Sequence, residues 1–186
     1  MTPPGVGRPA VRSERELVAV VGRYLAGEGF RVYVDPDGQD YFDLVARRAG
    51  EIGLVEVKVR DARAVLAQAL RRRAWGDWSA VALGSARSAE RLVGRTSSTR
   101  AAPVGVWSVG PDTVRVHRAA RRWRPAGGDD PYAALRERFR RWLDQVDEIA
   151  PDGSVHFRGV PGEVRRLSGG RSFSEWRLDE PPAPGT

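Results

Sequence analysis

Residues 52–59 constrain the fold most, because this apolar segment carries two charged side chains at alternate positions. Successive side chains of a β-strand point to opposite faces, so Glu56 and Lys58 project the same way, about 7 Å apart. Three valines occupy the other face, namely Val55, Val57 and Val59. Charges in an apolar strand are costly unless they are paired or bind a ligand. The segment therefore predicts a sheet with either an ion pair or a functional site at this position.

A preceding strand adds a third charge to this position. Residues 41–46 have strand character, and residues 47–50 form a tight connection. A hairpin through Gly50 brings Asp43 within side-chain reach of Glu56 on the neighbouring strand. Two carboxylates at one place repel each other, and a hard divalent cation such as Mg²⁺ relieves that repulsion. The two strands together are therefore a candidate metal site.

A structural ion pair is the alternative interpretation of these three residues. Cross-strand Glu–Lys and Asp–Lys pairs are common and contribute little to stability. Three charges clustered in apolar strands favour the site over the simple pair. Lys58 also favours it, because it is the single lysine among 31 basic residues. A compact ammonium contacts one oxyanion or one water better than a planar guanidinium does.

The first predicted helix supplies a fourth candidate. Ser13 and Glu16 form a capping-box pattern, which is followed by apolar residues at helical spacing up to Gly27. At about 100° per residue, Glu14 falls on the apolar face of this helix, whereas Glu16 points away. A carboxylate there needs a partner, and the metal site of the sheet is one candidate. The other interpretation is that Glu14 favours the helix dipole.

The order of the predicted elements indicates an α/β protein. Elements are expected at residues 13–27 (helix), 30–34, 41–46 and 52–59 (strands), 61–75 (helix), 78–83 (strand), 88–93 (weak helix), and 104–109 and 113–117 (terminal hairpin). The continuous apolar run at 78–83 is typical of a strand buried on both faces. We therefore expect a mixed β-sheet flanked by helices, with an α-β-β-β-α-β core.

Glycine, proline and charge divide the chain into three regions. Residues 1–12 are expected to form a flexible tail, and residues 13–125 the α/β domain. The boundary is expected at the glycines of residues 126–128. Residues 126–186 are expected to form a small C-terminal α+β extension, with a charged helix at 131–149 and short strands after it.

Composition excludes several classes of function. The chain has no cysteine, which excludes disulfide scaffolds, thiolate zinc sites, iron–sulfur clusters and cysteine nucleophiles. It has two histidines, so a multi-histidine metal site would have to enlist carboxylates. No apolar run approaches the ~18 residues of a membrane helix, and the N-terminus lacks a signal-peptide pattern. We therefore expect a soluble, cytoplasmic protein without a membrane partner.

The spacing of these motifs resembles a nuclease family. The matching stretches are SERELV at 13–18, GFRV at 29–32, FDLV at 42–45 and VEVKV at 55–59. Their order resembles the PD-(D/E)xK nuclease superfamily, and residues 13–59 are most similar to archaeal Holliday-junction resolvases and Mrr-type nucleases. The resemblance implies a restriction-endonuclease-like fold and a site that binds Mg²⁺ or Mn²⁺.

The resemblance also implies a role for each candidate residue. Asp43 and Glu56 would hold the metal with help from the Val57 carbonyl, and Glu14 would assist. Lys58 would position or activate the attacking water. The family's nominal proline is absent before Asp43, and the sequence after Lys58 does not match the resolvases.

Arginine density predicts a surface for a polyanion. The chain carries a formal charge of +7 at pH 7. Residues 113–143 contain nine arginines against three acidic residues, a local +6, and residues 71–73 form a second cluster. Proteins that bind nucleic acid need such density, because each neutralised phosphate releases counterions. The alternative is a solvated surface in an arginine-rich composition. The candidate nucleic-acid contacts are Arg71, Arg72, Arg118, Arg121, Arg122 and Arg124.

These observations predict a metal-dependent DNA endonuclease acting in repair, recombination or restriction. The alternative is a nuclease-fold module that no longer cuts and serves as a DNA-binding or partner-docking protein. A third hypothesis is a nucleotide- or RNA-directed phosphodiesterase. By analogy with resolvase-like relatives, which pair on symmetric DNA, a homodimer is a further candidate assembly.

Overall fold

A computed structural model describes residues 13–34, 42–123 and 130–149, with the side chains of the last helix described up to residue 144. The strands are β1 (Arg31–Val34), β2 (Leu44–Arg48), β3 (Glu51–Lys58), β4 (Trp78–Leu83), β5 (Gly105–Val109) and β6 (Val114–Arg118). The helices are α1 (Glu14–Gly27), α2 (Ala62–Arg72), α3 (Ala86–Thr96) and α4 (Ala133–Ile149). The predicted α/β class and the order of the elements from α1 to β6 are confirmed.

The six strands form one mixed sheet whose spatial order follows the chain order. Strands β1, β2 and β3 are antiparallel neighbours, β3, β4 and β5 are parallel, and β6 is antiparallel to β5. Helices α2 and α3 make the two crossovers that parallel neighbours require. The carboxyl ends of β3, β4 and β5 therefore lie at one edge of the sheet, and their amino ends lie at the opposite edge.

The β2–β3 hairpin sets the register of the candidate site. Ala49 and Gly50 form its turn, with φ values of 48° and 78°, as in a type I′ turn. The ladder that follows pairs Leu44 with Val55. One further step of this register brings Asp43 opposite Glu56, which is the placement predicted from the sequence.

Strand β2 begins later than predicted, at Leu44. The reason is that the carboxylate of Asp43 accepts the backbone N–H of Val57, at 2.7 Å. A side chain thus takes the hydrogen bond that a further backbone partner would have made. The residue before Phe42 lies outside the described ranges.

Helix α1 covers one face of the sheet, and the other helices pack on the opposite face. Its start follows the predicted capping box, since Ser13 and Glu16 exchange hydrogen bonds of 2.8 and 3.2 Å. The buried apolar side chains of α1 pack against the valines of β3. Helices α2 and α3 pack together on the other face, over β4 and β5.

Helix α4 shares a core with the sheet. Phe139, Trp142 and Leu143 pack with Ile52 and Leu54 of β3 and are buried. The apolar stripe of α4 completes the core on that face, and the expectation that residues 126–186 form an extension of the α/β domain stays a prediction. The predicted tail, the boundary at 126–128 and the short strands after the helix lie outside the described residues.

No helix in the described ranges is both long enough and apolar enough to cross a membrane.

Candidate functional site

The structure brings the predicted acidic residues together at the carboxyl end of β3. Asp43 lies just before β2, and its carboxylate accepts the Val57 N–H. Burial raises the pKa of Asp43, while the Val57 hydrogen bond and the charges of Lys58 and Arg72 lower it; the net shift is upward. Asp43 is therefore a desolvated carboxylate that stays hydrogen-bonded to the strand carrying the other site residues.

Glu56 is the most deeply buried charged residue of the site, with 1% of its surface exposed. One carboxylate oxygen, Oε2, accepts a hydrogen bond from Arg72 of α2, whereas Oε1 is buried and has no hydrogen-bond partner among the described residues. Burial and the charge of Asp43 raise the pKa of Glu56 against the lowering effects of Arg72 and Lys58, and the net pKa is about 7. The two carboxylates therefore lie close enough to repel each other.

Lys58 ends β3 and binds Glu14 at the start of α1, with 2.7 Å between Nζ and Oε2. Burial alone would lower the pKa of Lys58, but the Glu14 hydrogen bond and the charges of Asp43, Glu14 and Glu56 raise it above the usual value. Lys58 is therefore a protonated cation at neutral pH. Glu14 contacts the site through Lys58, and its predicted role as a metal ligand stays a prediction.

Arg72 belongs to the site and does not lie on an outer surface as predicted. Its side chain is 14% exposed, pairs with Glu56 and lies over the ring of Phe42, 5.9 Å from the centroid. The signal for this placement is in the sequence, because Arg72 follows the buried Val65 and Ala69 of α2 at helical spacing. It was missed because an arginine beside two others was interpreted as part of a solvent-exposed cluster.

The donor set at this site fits a hard divalent cation with few protein ligands. Within the described ranges, no group of three acidic or histidine residues is placed to hold a metal. Two carboxylates and a backbone carbonyl match the small ligand number of Mg²⁺, which keeps several waters. The buried, unpaired Oε1 of Glu56 is the observation that supports the fit, because an oxygen of this kind requires a proton or a cation. A second buried, unpaired oxygen belongs to Gln68, one turn before Arg72 on α2.

The predicted arginines of the C-terminal cluster lie at the opposite edge of the sheet from the acidic site. Arg118 is opposite Val106, near the amino end of β5, and Arg122 pairs with Glu51 at the amino end of β3. Glu51 and Lys58 are seven strand steps apart, which corresponds to about 23 Å. Arg121 lies on the same edge, where its backbone N–H binds Pro103. Arg124 lies outside the described residues.

Arg118 has a structural role, and its predicted contact with phosphate stays a prediction. Its guanidinium donates hydrogen bonds to the carbonyls of Val104 and Ala101 and to the hydroxyl of Thr96. These hydrogen bonds hold the loop between α3 and β5 against the end of β6. Arg136 and Arg140 of α4 are likewise occupied, by ion pairs with Asp130 and Asp77 respectively.

A cavity of about 350 Å³ lies away from the acidic site. Its lining includes Tyr24 of α1, Phe30 before β1, Glu51 and Trp78 at the amino ends of β3 and β4, and Trp107 of β5. The acidic site lies at the other end of β3, so the cavity and the carboxylates do not form one pocket.

No protein family model matches the chain, and no curated protein matches it. Among solved structures, the chain is similar to SPO1766, a protein of unknown function from Silicibacter pomeroyi. The two chains are 18% identical, with a TM-score of 0.48, over 81% of this chain and 98% of that chain. This likeness is too low to assign a fold family or an activity.

Proposed function

We propose that the protein is a metal-dependent endonuclease that hydrolyses phosphodiester bonds in DNA, within a restriction-endonuclease-like fold. The observation that carries this proposal is Glu56, a buried carboxylate beside Asp43 that keeps one oxygen unpaired. Such an arrangement is costly for stability, because desolvated like charges repel each other. It is also what a site for a hard cation requires. The α-β-β-β-α-β order and the hairpin joining Asp43 to Glu56 support the proposed fold.

The charge of each residue determines its role in the proposed reaction. A bound Mg²⁺ or Mn²⁺ lowers the pKa of a coordinated water and stabilises negative charge on the phosphate. Asp43 and Glu56 would hold this ion with the Val57 carbonyl. Lys58 contributes a second positive charge beside the phosphate, and its raised pKa makes it an electrostatic group rather than a proton acceptor. Glu14 orients the Lys58 ammonium through their hydrogen bond.

The test is cleavage of supercoiled, linear, branched and single-stranded DNA with Mg²⁺ or Mn²⁺. We expect the wild type to cut at least one of these substrates and Asp43→Asn and Lys58→Ala to lose that activity. Glu28→Gln is the matched control, because Glu28 is exposed at the end of α1 and has no ion pair in the described ranges. Equal cutting by the wild type and both site variants would contradict the assigned roles.

A DNA-binding module that no longer cuts is the second candidate, and Arg72 favours it. The guanidinium of Arg72 already neutralises Glu56, which is the charge that a metal would otherwise neutralise. DNA binding with no cleavage of any substrate, and no binding of Mn²⁺ by isothermal titration calorimetry, would select this module over the enzyme.

A further inference from the structure

Exposed arginines line the outer sides of two neighbouring helices. Helices α2 and α3 bury their apolar sides together against β4, through Val65 and Ala69 of α2 and Ala89 and Leu92 of α3. Their opposite sides point away from the sheet and carry five exposed arginines, and a sixth, Arg60, lies two positions before α2. The set is Arg60, Arg63, Arg71, Arg87, Arg91 and Arg95. We call this set the α2–α3 arginine face.

The spacing on each helix makes this face a regular array. Arg87, Arg91 and Arg95 follow one another at four-residue intervals on α3, so each lies about 6 Å along the axis from the next. Arg63 and Arg71 of α2 are eight residues apart, which corresponds to about 12 Å. A DNA duplex carries about seven negative charges over a length of ~12 Å. The array thus has the length and charge to follow a phosphate backbone.

Within the described ranges, these six arginines differ from Arg118, Arg122, Arg136 and Arg140 in having no internal partner. None of the six forms a side-chain hydrogen bond or an ion pair with any residue in the described ranges. The two helices contain one acidic residue, Glu90. By contrast, Arg118, Arg122, Arg136 and Arg140 are held by protein acceptors. Helices α2 and α3, together with Arg60, therefore carry six arginines that no acidic residue in the described ranges neutralises.

The arginine face begins at the acidic site. Lys58 at the end of β3 is paired with Leu83 at the end of β4, and the Gly84 N–H binds the Lys58 carbonyl at 3.2 Å. Arg60 follows Lys58 by two residues, and Arg87 lies in the first turn of the helix that follows Gly84. Both arginines therefore lie at the carboxyl edge of the sheet, beside the carboxylates.

We infer that the α2–α3 arginine face binds the phosphate backbone of duplex DNA and leads it to the carboxyl edge of β3. The inference rests on the proposed function for the choice of DNA as the polyanion. It replaces the predicted contribution of Arg118, Arg121 and Arg122, which lie at the other edge of the sheet. Of the arginines predicted from the sequence to contact nucleic acid, Arg71 alone belongs to this face.

The experiment measures DNA binding by the full chain without metal, so that cleavage plays no part. A fluorescein-labelled 30-base-pair duplex is titrated in EDTA and followed by fluorescence anisotropy from 50 to 250 mM salt. The test variant combines Arg87→Gln, Arg91→Gln and Arg95→Gln on α3. The matched control combines Arg115→Gln, Arg121→Gln and Arg122→Gln, which removes the same charge from exposed positions away from this face. Circular dichroism and thermal unfolding establish that both variants are folded.

We expect the α3 variant to bind at least tenfold more weakly at 150 mM salt and the control to stay within threefold of the wild type. The slope of log K against log salt should fall by about 2 to 3 for the α3 variant, because each lost phosphate contact removes about 0.9. Equal losses in both variants, wild-type binding by the α3 variant, or no DNA binding by the wild type would overturn the inference. So would tighter binding of a double-stranded RNA of the same length.

The experiments distinguish a failure of the inferred binding face from a failure of the nuclease proposal. Asp43→Asn should retain duplex binding in EDTA, because the substitution leaves all six arginines of the face in place. If the α3 variant loses binding but the wild type cuts no substrate, the nuclease proposal fails and the binding face stands. If Asp43→Asn abolishes cleavage while the α3 variant binds normally, the binding face fails and the nuclease proposal stands.

Discussion

Glu56 makes the stability of the protein depend on pH. Its pKa of about 7 in the folded state exceeds the ordinary value of 4.5, so between these pH values the folded state holds a proton that the unfolded chain has lost. The stabilisation from this proton is present at low pH and is lost as the pH rises through 7. We predict that the wild type loses on the order of 3 kcal/mol relative to Glu56→Gln between pH 4.5 and 8. Urea unfolding in EDTA measures this difference.

Glu51→Gln is the control for this titration, because Glu51 lies on the same strand and its ion pair with Arg122 is partly exposed. We expect its unfolding free energy to run parallel to that of the wild type across the same pH range. A wild type and a Glu56→Gln variant with parallel curves would show that Glu56 titrates normally.

Substitution of Lys58 should lower the cleavage rate strongly and the stability only slightly. Its ion pair with Glu14 is partly exposed, with 26% and 47% of the two side chains accessible, so its loss should cost less than about 1 kcal/mol. We predict that Lys58→Ala lowers the cleavage rate about 10² to 10³-fold, as expected for a group that stabilises developing charge. Lys58→Arg should restore little of this rate, because a planar guanidinium does not reproduce a compact ammonium. Rates come from single-turnover cleavage and stability from urea unfolding.

Glu14→Gln is the companion to the Lys58 variants. It leaves the ammonium in place but removes the charge that orients it, so we expect a loss of about tenfold, smaller than that of Lys58→Ala. An Lys58→Arg variant as active as the wild type would contradict the specific need for an ammonium.

Strand β3 depends on a glycine where it packs against β4. Gly53 is the register partner of Trp78, and a Cβ atom at Gly53 would lie 2.0 Å from the indole ring. We predict that Gly53→Ala destabilises the protein by at least about 2 kcal/mol, because the buried ring has to move. Gly94→Ala is the control: its Cβ meets nothing within 4 Å in the last turn of α3, and it should stabilise by about 0.5 to 1 kcal/mol. Thermal unfolding of both variants measures the contrast, and a neutral Gly53→Ala would contradict this packing.

Local signals predicted the elements that carry the site. The capping box of Ser13 and Glu16, the alternation around Glu56 and the apolar run of β4 each follow from the chemistry of neighbouring residues. The roles of Arg72 and Arg118 were not predicted, because their acceptors are 14 or more residues away in the chain. Composition detected the arginines as a group, but only the fold shows which of them are neutralised internally.

At the scale of the whole molecule, helix α4 packs against the residues next to the site. The ring of Phe139 lies 5.6 Å from that of Phe42 and 5.8 Å from that of Trp75. Phe42 directly precedes Asp43, so the packing of α4 fixes the start of β2 and with it one carboxylate. The apolar stripe of α4 was visible in the sequence, but its partner on the sheet was not, because periodicity shows that a helix face is buried and not what covers it.

We therefore predict that removing α4 destabilises the fold. Phe139→Ala should cost about 3 to 5 kcal/mol, because a fully buried ring is replaced by a cavity. A chain that ends at residue 124 should lose its cooperative unfolding transition, since Ile52 and Leu54 of β3 lose their cover. Arg141→Ala, at an exposed position of the same helix, should leave the transition unchanged. Differential scanning calorimetry compares the wild type, Phe139→Ala, the truncated chain and Arg141→Ala. A truncated chain that unfolds at the wild-type temperature would show that the core does not need α4.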